Sequence, residues 1–165
     1  MIGAGAIGCE LIKNLAMLRC CTKGRLVLEW CGLYSVYVAG KLLVTDPDSI
    51  EKSNLNRQFL FTHNDIGKNK SSCAIAAVQK MYSKMNAEAL TDLVAPSTED
   101  KFHSDFWNAQ DCFLNALDNI KAREYVDKRC VAAHKPLIDS GTTGTKGHTQ
   151  VVVPHMTGDN IDLNP

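Results

Sequence analysis

Gly3-Ala4-Gly5-Ala6-Ile7-Gly8 forms a G-x-G-x-x-G loop that opens a helix. Glycines permit a tight turn and close backbone approach, and the helix N-terminus favours phosphate. The loop suits a dinucleotide and ATP about equally, and a plain strand–helix turn also accounts for it. Two cations extend the pattern. Arg57, within Ser53-Asn54-Leu55-Asn56-Arg57-Gln58-Phe59-Leu60-Phe61, offers a planar fork for phosphate oxygens. Lys70 begins a helix thirteen residues later and supplies a point charge. Either one alone reads equally as a solvated charge. As a set beside Asn54 and Gln58, they suit a triphosphate better than a nicotinamide dinucleotide.

Two acids stand at strand ends. Asp46 closes an apolar run, where it could accept from ribose hydroxyls or cap the following turn. It follows Gly5 by 41 residues, against the usual spacing of ~20. Asp118 lies in Asn115-Ala116-Leu117-Asp118-Asn119, at the edge that faces the ligand crevice of a doubly wound sheet. It is placed to hold Mg²⁺ on phosphates, with Asp48 as a second acid. Asp118 and Asn119 are also both good N-caps for the next helix.

The elements that must carry these residues alternate. Residues 8–18 put Leu11, Ile12, Leu15 and Leu18 on one helical face. Residues 41–46 read as a buried parallel strand. A second amphipathic helix starts near Lys70 and runs toward Asn86 with Ile75, Val78, Met81 and Met85. A strand is expected over 89–95, a helix over 97–109, a strand over 111–117, a helix over 119–133 and a strand over 136–140. A glycine-rich turn over 141–147 then leads to a strand over 149–153. This alternation implies an α/β fold with a mostly parallel sheet and helices on both faces.

Residues 19–40 break the pattern, because a helix-to-strand connection usually takes 2–6 residues. An extra strand or hairpin and a non-coding insert both fit. A membrane span is disfavoured by Glu29, Gly32, Gly40 and Lys41.

Lys+Arg and Asp+Glu each total 18, so the net charge of zero argues against nucleic-acid and anionic-membrane partners. The seven cysteines are too few and odd in number for a disulfide framework, and no Cys-x-x-Cys marks a zinc knuckle. Reduced thiols in the cytoplasm or nucleus are expected, with no signal peptide before the glycine motif. Only Met1 and Ile2 precede Gly3, and residues 158–165 are loop-like. A piece of a longer chain, incomplete at both ends, is therefore expected.

GAGAIGCELIKN, VTDPDSIEKSNLNRQFLF, NALDN with the following R-x-Y-V-D-x-R-C, and KPLIDSGTTGTKGHTQVVVP resemble the active adenylation half of a ubiquitin-activating enzyme. The wider resemblance is to the Rossmann-like ThiF/MoeB fold. VTDPD and DSGTTGTKGHT look most like the dual-specificity branch, which activates ubiquitin and a ubiquitin-like modifier. The resemblance covers residues 1–165 as a partial ATP-binding adenylation domain with an atypical insert at about 19–40. It implies ATP and Mg²⁺. The modifier's C-terminal carboxylate would attack the α-phosphate, and a cysteine of a separate domain would then accept the acyl group. Matched onto this chain, Gly3, Gly5, Ala6, Gly8, Asp46, Arg57, Lys70, Asp118 and Asn119 would contact ATP. Asn54 and Gln58 would flank the phosphates, and Asp48 and Asp118 would hold Mg²⁺. Arg57, Lys70 and Asp118 would be catalytic.

The implied partners are the modifier, the inactive adenylation half, the catalytic-cysteine domain and, through a further domain, ubiquitin-conjugating enzymes. None of the seven cysteines matches the thioester cysteine, and Cys9 reads as a packing residue. The chain by itself is therefore expected not to complete thioester formation. A non-catalytic fragment of such an enzyme and, more remotely, a nicotinamide-binding domain are the alternatives.

Overall fold

The computed structural model describes residues 1–21, the backbone of 27–30 and 34–37, and residues 40–157. The chain divides into two compact units, Ala4–Thr91 and Met1–Gly3 with Asp92–Pro165.

In the first unit, α1 (Ala6–Met17) packs on α2 (Lys70–Met81). The buried face of α1 is Gly8, Cys9, Ile12 and Ala16, not the leucine stripe expected from the sequence. Small side chains let α2 approach closely, so Leu11 and Leu15 sit at the margin and Leu18 is exposed. The second helix ends at Met81, earlier than expected. Tyr82 caps it, and Met85 turns back with its N–H on the Tyr82 carbonyl, burying its side chain outside the helix while Met81 is exposed. This reversal lets β4 (Ala87–Leu90) run parallel to β3 (Leu42–Thr45), from Leu42↔Ala87 to Thr45↔Leu90. The expected strand over 89–95 is thus shifted toward the N-terminus and stops where its partner stops.

Residues 19–40 contain β1 (Val27–Trp30) and β2 (Tyr34–Tyr37), paired antiparallel from Val27↔Tyr37 to Trp30↔Tyr34. The rest of that stretch, 22–26, 31–33 and 38–39, lies outside the described residues, as does the loop expected over 158–165.

In the second unit, α4 (Ile120–Ala132) links the parallel strands β5 (Phe113–Asn115) and β6 (Leu137–Thr143). Ile2 adds a parallel bridge to β5, with its N–H on the Leu114 carbonyl (2.8 Å) and its carbonyl taking the Ala116 N–H (2.9 Å). Gly3 follows with φ +98°, and a Cβ there would stand 2.6 Å from the Ala116 carbonyl oxygen. Glycine is required here for strand packing as well as for the turn.

β7 (Lys146–Val152) returns antiparallel to β6, in register from Leu137↔Val152 to Thr143↔Lys146. The expected turn over 141–147 therefore shrinks to Gly144 and Thr145, because Gly141–Thr143 and Lys146–Gly147 extend the ladder. The expected helix over 97–109 is also corrected. It is a 3₁₀ turn at Pro96–Thr98 and a separate α3 (Ser104–Asn108). Trp107, nearly fully buried, donates its indole N–H to the Phe102 carbonyl (2.8 Å) and stacks at 4.7 Å on Phe113. That anchor pins a bend between the two pieces. No helix among the described residues is long and apolar enough to cross a membrane.

Candidate functional site

The glycine loop delivers a bare helix end. Gly5 is the N-cap of α1 and offers no side-chain cap, so the leading N–H groups of the helix are left without one. A Cβ at Gly5 would meet nothing within 4 Å, so glycine here keeps space open. One residue earlier, the Ala4 N–H donates to Asp46 Oδ2 (2.6 Å), and Asp46 Oδ1 accepts from the Asp48 N–H (2.9 Å). The buried Asp46 carboxylate thus ties the loop to the end of β3. Burial raises its pKa above the ordinary carboxylate value, against the pull of the two N–H donors and the Lys70 charge.

Asn69 knits the same corner. Its Nδ2 donates to the carbonyls of Asp46 (2.8 Å) and Asp48 (3.3 Å), while its Oδ1 caps α2 by accepting from the Ser72 N–H (3.1 Å). Lys70, the first residue of α2, donates its N–H to the Asp48 carbonyl and sets its Nζ 2.8 Å from Asp48 Oδ2. The lysine side chain is 11% exposed and the aspartate 64%. Asp46, Asp48 and Lys70, far apart in sequence from the glycine loop, are therefore assembled with Ala4 in one unit.

The Asn-Arg-Gln segment of this unit forms a 3₁₀ turn, Lys52–Asn56. Asn54 is buried and spends its Oδ1 on the Glu51 N–H (2.9 Å), capping its own turn. Arg57 is exposed and anchored locally, its Nη1 on the Ser53 carbonyl (3.0 Å) and Asn56 Oδ1 (3.2 Å). Gln58 is buried with no partner for its Oε1. Leu60 and Phe61 anchor the segment in the core. Phe59 is exposed, with Lys13 Nζ 5.2 Å from its ring centroid.

Asp118 and Asn119 belong to the other unit. Only Asn119 caps α4, its Oδ1 accepting from the Lys121 N–H (2.9 Å). Asp118 is exposed, and its side chain makes no hydrogen bond or ion pair among the described residues. Just behind it, Asn115 is fully buried with neither amide atom partnered.

Burial pushes the Cys9 thiol up to about 11 and the Cys130 thiol to about 12, so neither is a ready nucleophile. Cys9 points its thiol at the Ala4 carbonyl (3.7 Å), the packing role expected of it.

Sequence reasoning assigned no role to Asn69, Asn115 or Arg123. Asn69 carried a signal, an N-cap residue directly before a basic helix start. The other two carried none, because their importance lies in burial and in carbonyls supplied by distant segments.

The ThiF family model matches residues 1–161, and the chain belongs to the ThiF family. It is 51% identical over 159 residues to Ubiquitin-activating enzyme E1 1 of Candida albicans, which covers 95% of the chain and 14% of that protein. It is 48% identical over 157 residues to Ubiquitin-like modifier-activating enzyme 6 of Homo sapiens, with the same two coverages. The chain thus spans about one-seventh of the length of these relatives. Among solved structures, E. coli MccB with ATP superposes with a TM-score of 0.73 at 25% identity, covering 96% of this chain and 42% of that one. The mixed α/β fold with parallel strands is therefore the ThiF/MoeB-like fold expected from the sequence.

Proposed function

We propose that this chain is the ATP-binding part of an adenylating enzyme that activates ubiquitin or a ubiquitin-like modifier. The observation that carries the reading is the Lys70 ammonium. It is held nearly buried at the head of α2, in the same unit as a side-chain-free, uncapped α1 N-terminus. A cation and a bare helix end are the two elementary needs of a polyphosphate.

Lys70 and Arg57 would neutralise charge on the phosphate oxygens, which is a positioning and electrostatic task. Gly5 keeps room for the phosphate chain over the first N–H groups of α1. Gln58, buried with an unpartnered Oε1, supplies a polar contact that the protein itself leaves unused. Asp46 is spoken for by Ala4 and Asp48, yet each of its oxygens retains a lone pair for a ribose hydroxyl.

Asp48 and Asp118, each in its own unit, are each proposed as a Mg²⁺ ligand. Mg²⁺ takes one or two carboxylates and completes its shell with phosphate oxygens and water. Mg²⁺, when bound, would supply charge neutralisation at the phosphates. In the reaction, a carboxylate oxygen of the modifier bonds to the α-phosphorus, the bond to the bridging oxygen breaks, and pyrophosphate leaves. Transfer to a cysteine would fall to another part of the parent protein, with the modifier and the inactive adenylation half as partners.

Calorimetry on the chain tests the reading directly. Mg·ATP should bind and NADH should not. Tighter binding of NADH than of Mg·ATP would overturn the proposal in favour of a nicotinamide domain.

A further inference from the structure

We propose that Arg123 is a positioning residue that clasps the Leu117–Asn119 turn and thereby presets Asp118. What Asp118 serves rests on the nucleotide reading above, whereas the clasp rests on geometry.

Arg123 stands in the first turn of α4, and its guanidinium gathers three acceptors from two segments. Nη2 donates to the main-chain carbonyls of Leu117 and Ser140 (2.8 Å for Ser140), and Nη1 pairs with Asp139 Oδ2. The two side chains are 16% and 5% exposed. β5 ends at Asn115, and the last main-chain bond before the turn is the Ala116 N–H to Ile2. The Leu117 carbonyl therefore receives from the guanidinium what the ladder no longer supplies.

The Leu117 carbonyl and the Asp118 nitrogen share one rigid peptide plane, so holding the first orients the second. On the far side, Asn119 is locked as the N-cap of α4. Asp118 is pinned from both flanks while its own carboxylate stays exposed and unengaged. A side chain set by its backbone and left free at its tip is preorganised for a ligand.

Gly141 belongs to the same device. A Cβ there would stand 2.7 Å from Arg123 Nη2 and 2.6 Å from His148 Cε1. Glycine makes room for the guanidinium at the carbonyl edge. Lysine could not replace the fork, since one ammonium lacks its planar, multi-donor geometry.

The test uses the whole chain and two variants that damage the clasp differently, Arg123→Met and Gly141→Ala. Amide hydrogen exchange is measured without ligand. Exchange at Ala116 and Lys121, whose N–H groups are hydrogen-bonded on either side of the turn, should rise at least tenfold in both variants, with Arg123→Lys in between and the Ala4–Thr91 unit unchanged. Unchanged exchange at Ala116 and Lys121 in Gly141→Ala overturns the clasp, even if Arg123→Met fails to fold.

ATP binding is then titrated with Mg²⁺. Half-saturation by Mg²⁺ should rise at least fivefold in Gly141→Ala, with Mg²⁺-free ATP affinity retained. Equal loss of affinity with and without Mg²⁺ overturns the link to Asp118. A wild-type chain that shows the exchange pattern but binds no ATP would sink the proposed function and leave the clasp standing.

Discussion

Replacing Lys70 with methionine separates a phosphate ligand from a structural ion pair. Methionine keeps the apolar length of the stem and removes the charge. The pair with Asp48 is close, at 2.8 Å, but the aspartate is 64% exposed. Half-exposed pairs contribute about 0–1 kcal/mol. Removing the lysine leaves no stranded buried charge, because Asp48 is open to water. The melting temperature should therefore fall by no more than about 2–4 °C, the shift that ~1 kcal/mol produces in a domain of this size.

Binding should respond on a different scale. A charge-assisted hydrogen bond to phosphate is worth ~1.5–3 kcal/mol, which corresponds to an affinity loss of about 10- to 150-fold. Calorimetry with Mg·ATP and a thermal melt on the same preparation measure both. A companion Asp48→Asn variant releases the lysine from its competitor. It should hold or tighten Mg²⁺-free ATP binding while weakening the Mg²⁺ dependence. Unchanged ATP affinity in Lys70→Met, with a melting temperature lowered by more than about 8 °C, would make the lysine a helix anchor and remove it from the site.

Gly3→Ala should destabilise by at least ~2 kcal/mol, since φ is +98° and the new methyl would press on the Ala116 backbone, whereas Gly5→Ala should shift stability by less than ~0.5 kcal/mol and still weaken ATP binding, as melts and titrations will show. Iodoacetamide at pH 7.5 should label exposed Cys112 readily and spare Cys9 and Cys130, whose thiols burial pushes to about 11 and about 12; peptide mass mapping reads this, and early labelling of either buried thiol would contradict the packing assignment. Carboxyl NMR should find Asp65 titrating near about 2, held down by Thr62, and Asp46 above the ordinary value through burial. The signs oppose: stability from Asp65 is present above the unfolded value near 3.8 and is lost as pH falls toward about 2, while ionising Asp46 lowers stability as pH rises through its raised pKa. Asp65→Asn should flatten the first slope, and Asp46→Asn the second.

What was legible in the sequence divides along physical lines. Local chemistry could be read directly: the helix after the glycine loop, Asn119 before α4, and the acid closing β3 follow from residue types and short spacings. Where backbone partners come from elsewhere, local reading failed. The helix expected over 97–109 broke because Trp107 claims the Phe102 carbonyl, and no periodicity announces that. The glycine turn over 141–147 shortened because pairing with β6 outweighed turn composition. Asp46 shows the same limit within the candidate site. Its position suggested either a ribose ligand or a turn cap. The structure adds a third task that spans 42 residues of sequence, holding the Ala4 N–H and so the entry to α1. Burial raises the pKa of Asp46, and that tie works against the rise. A buried acid is tolerated because two N–H donors and a nearby ammonium compensate it, and the same three groups set the loop beside Lys70. The residues that shape the loop and Lys70, proposed to meet phosphate, therefore form one hydrogen-bonded unit. A change to either should be felt by the other.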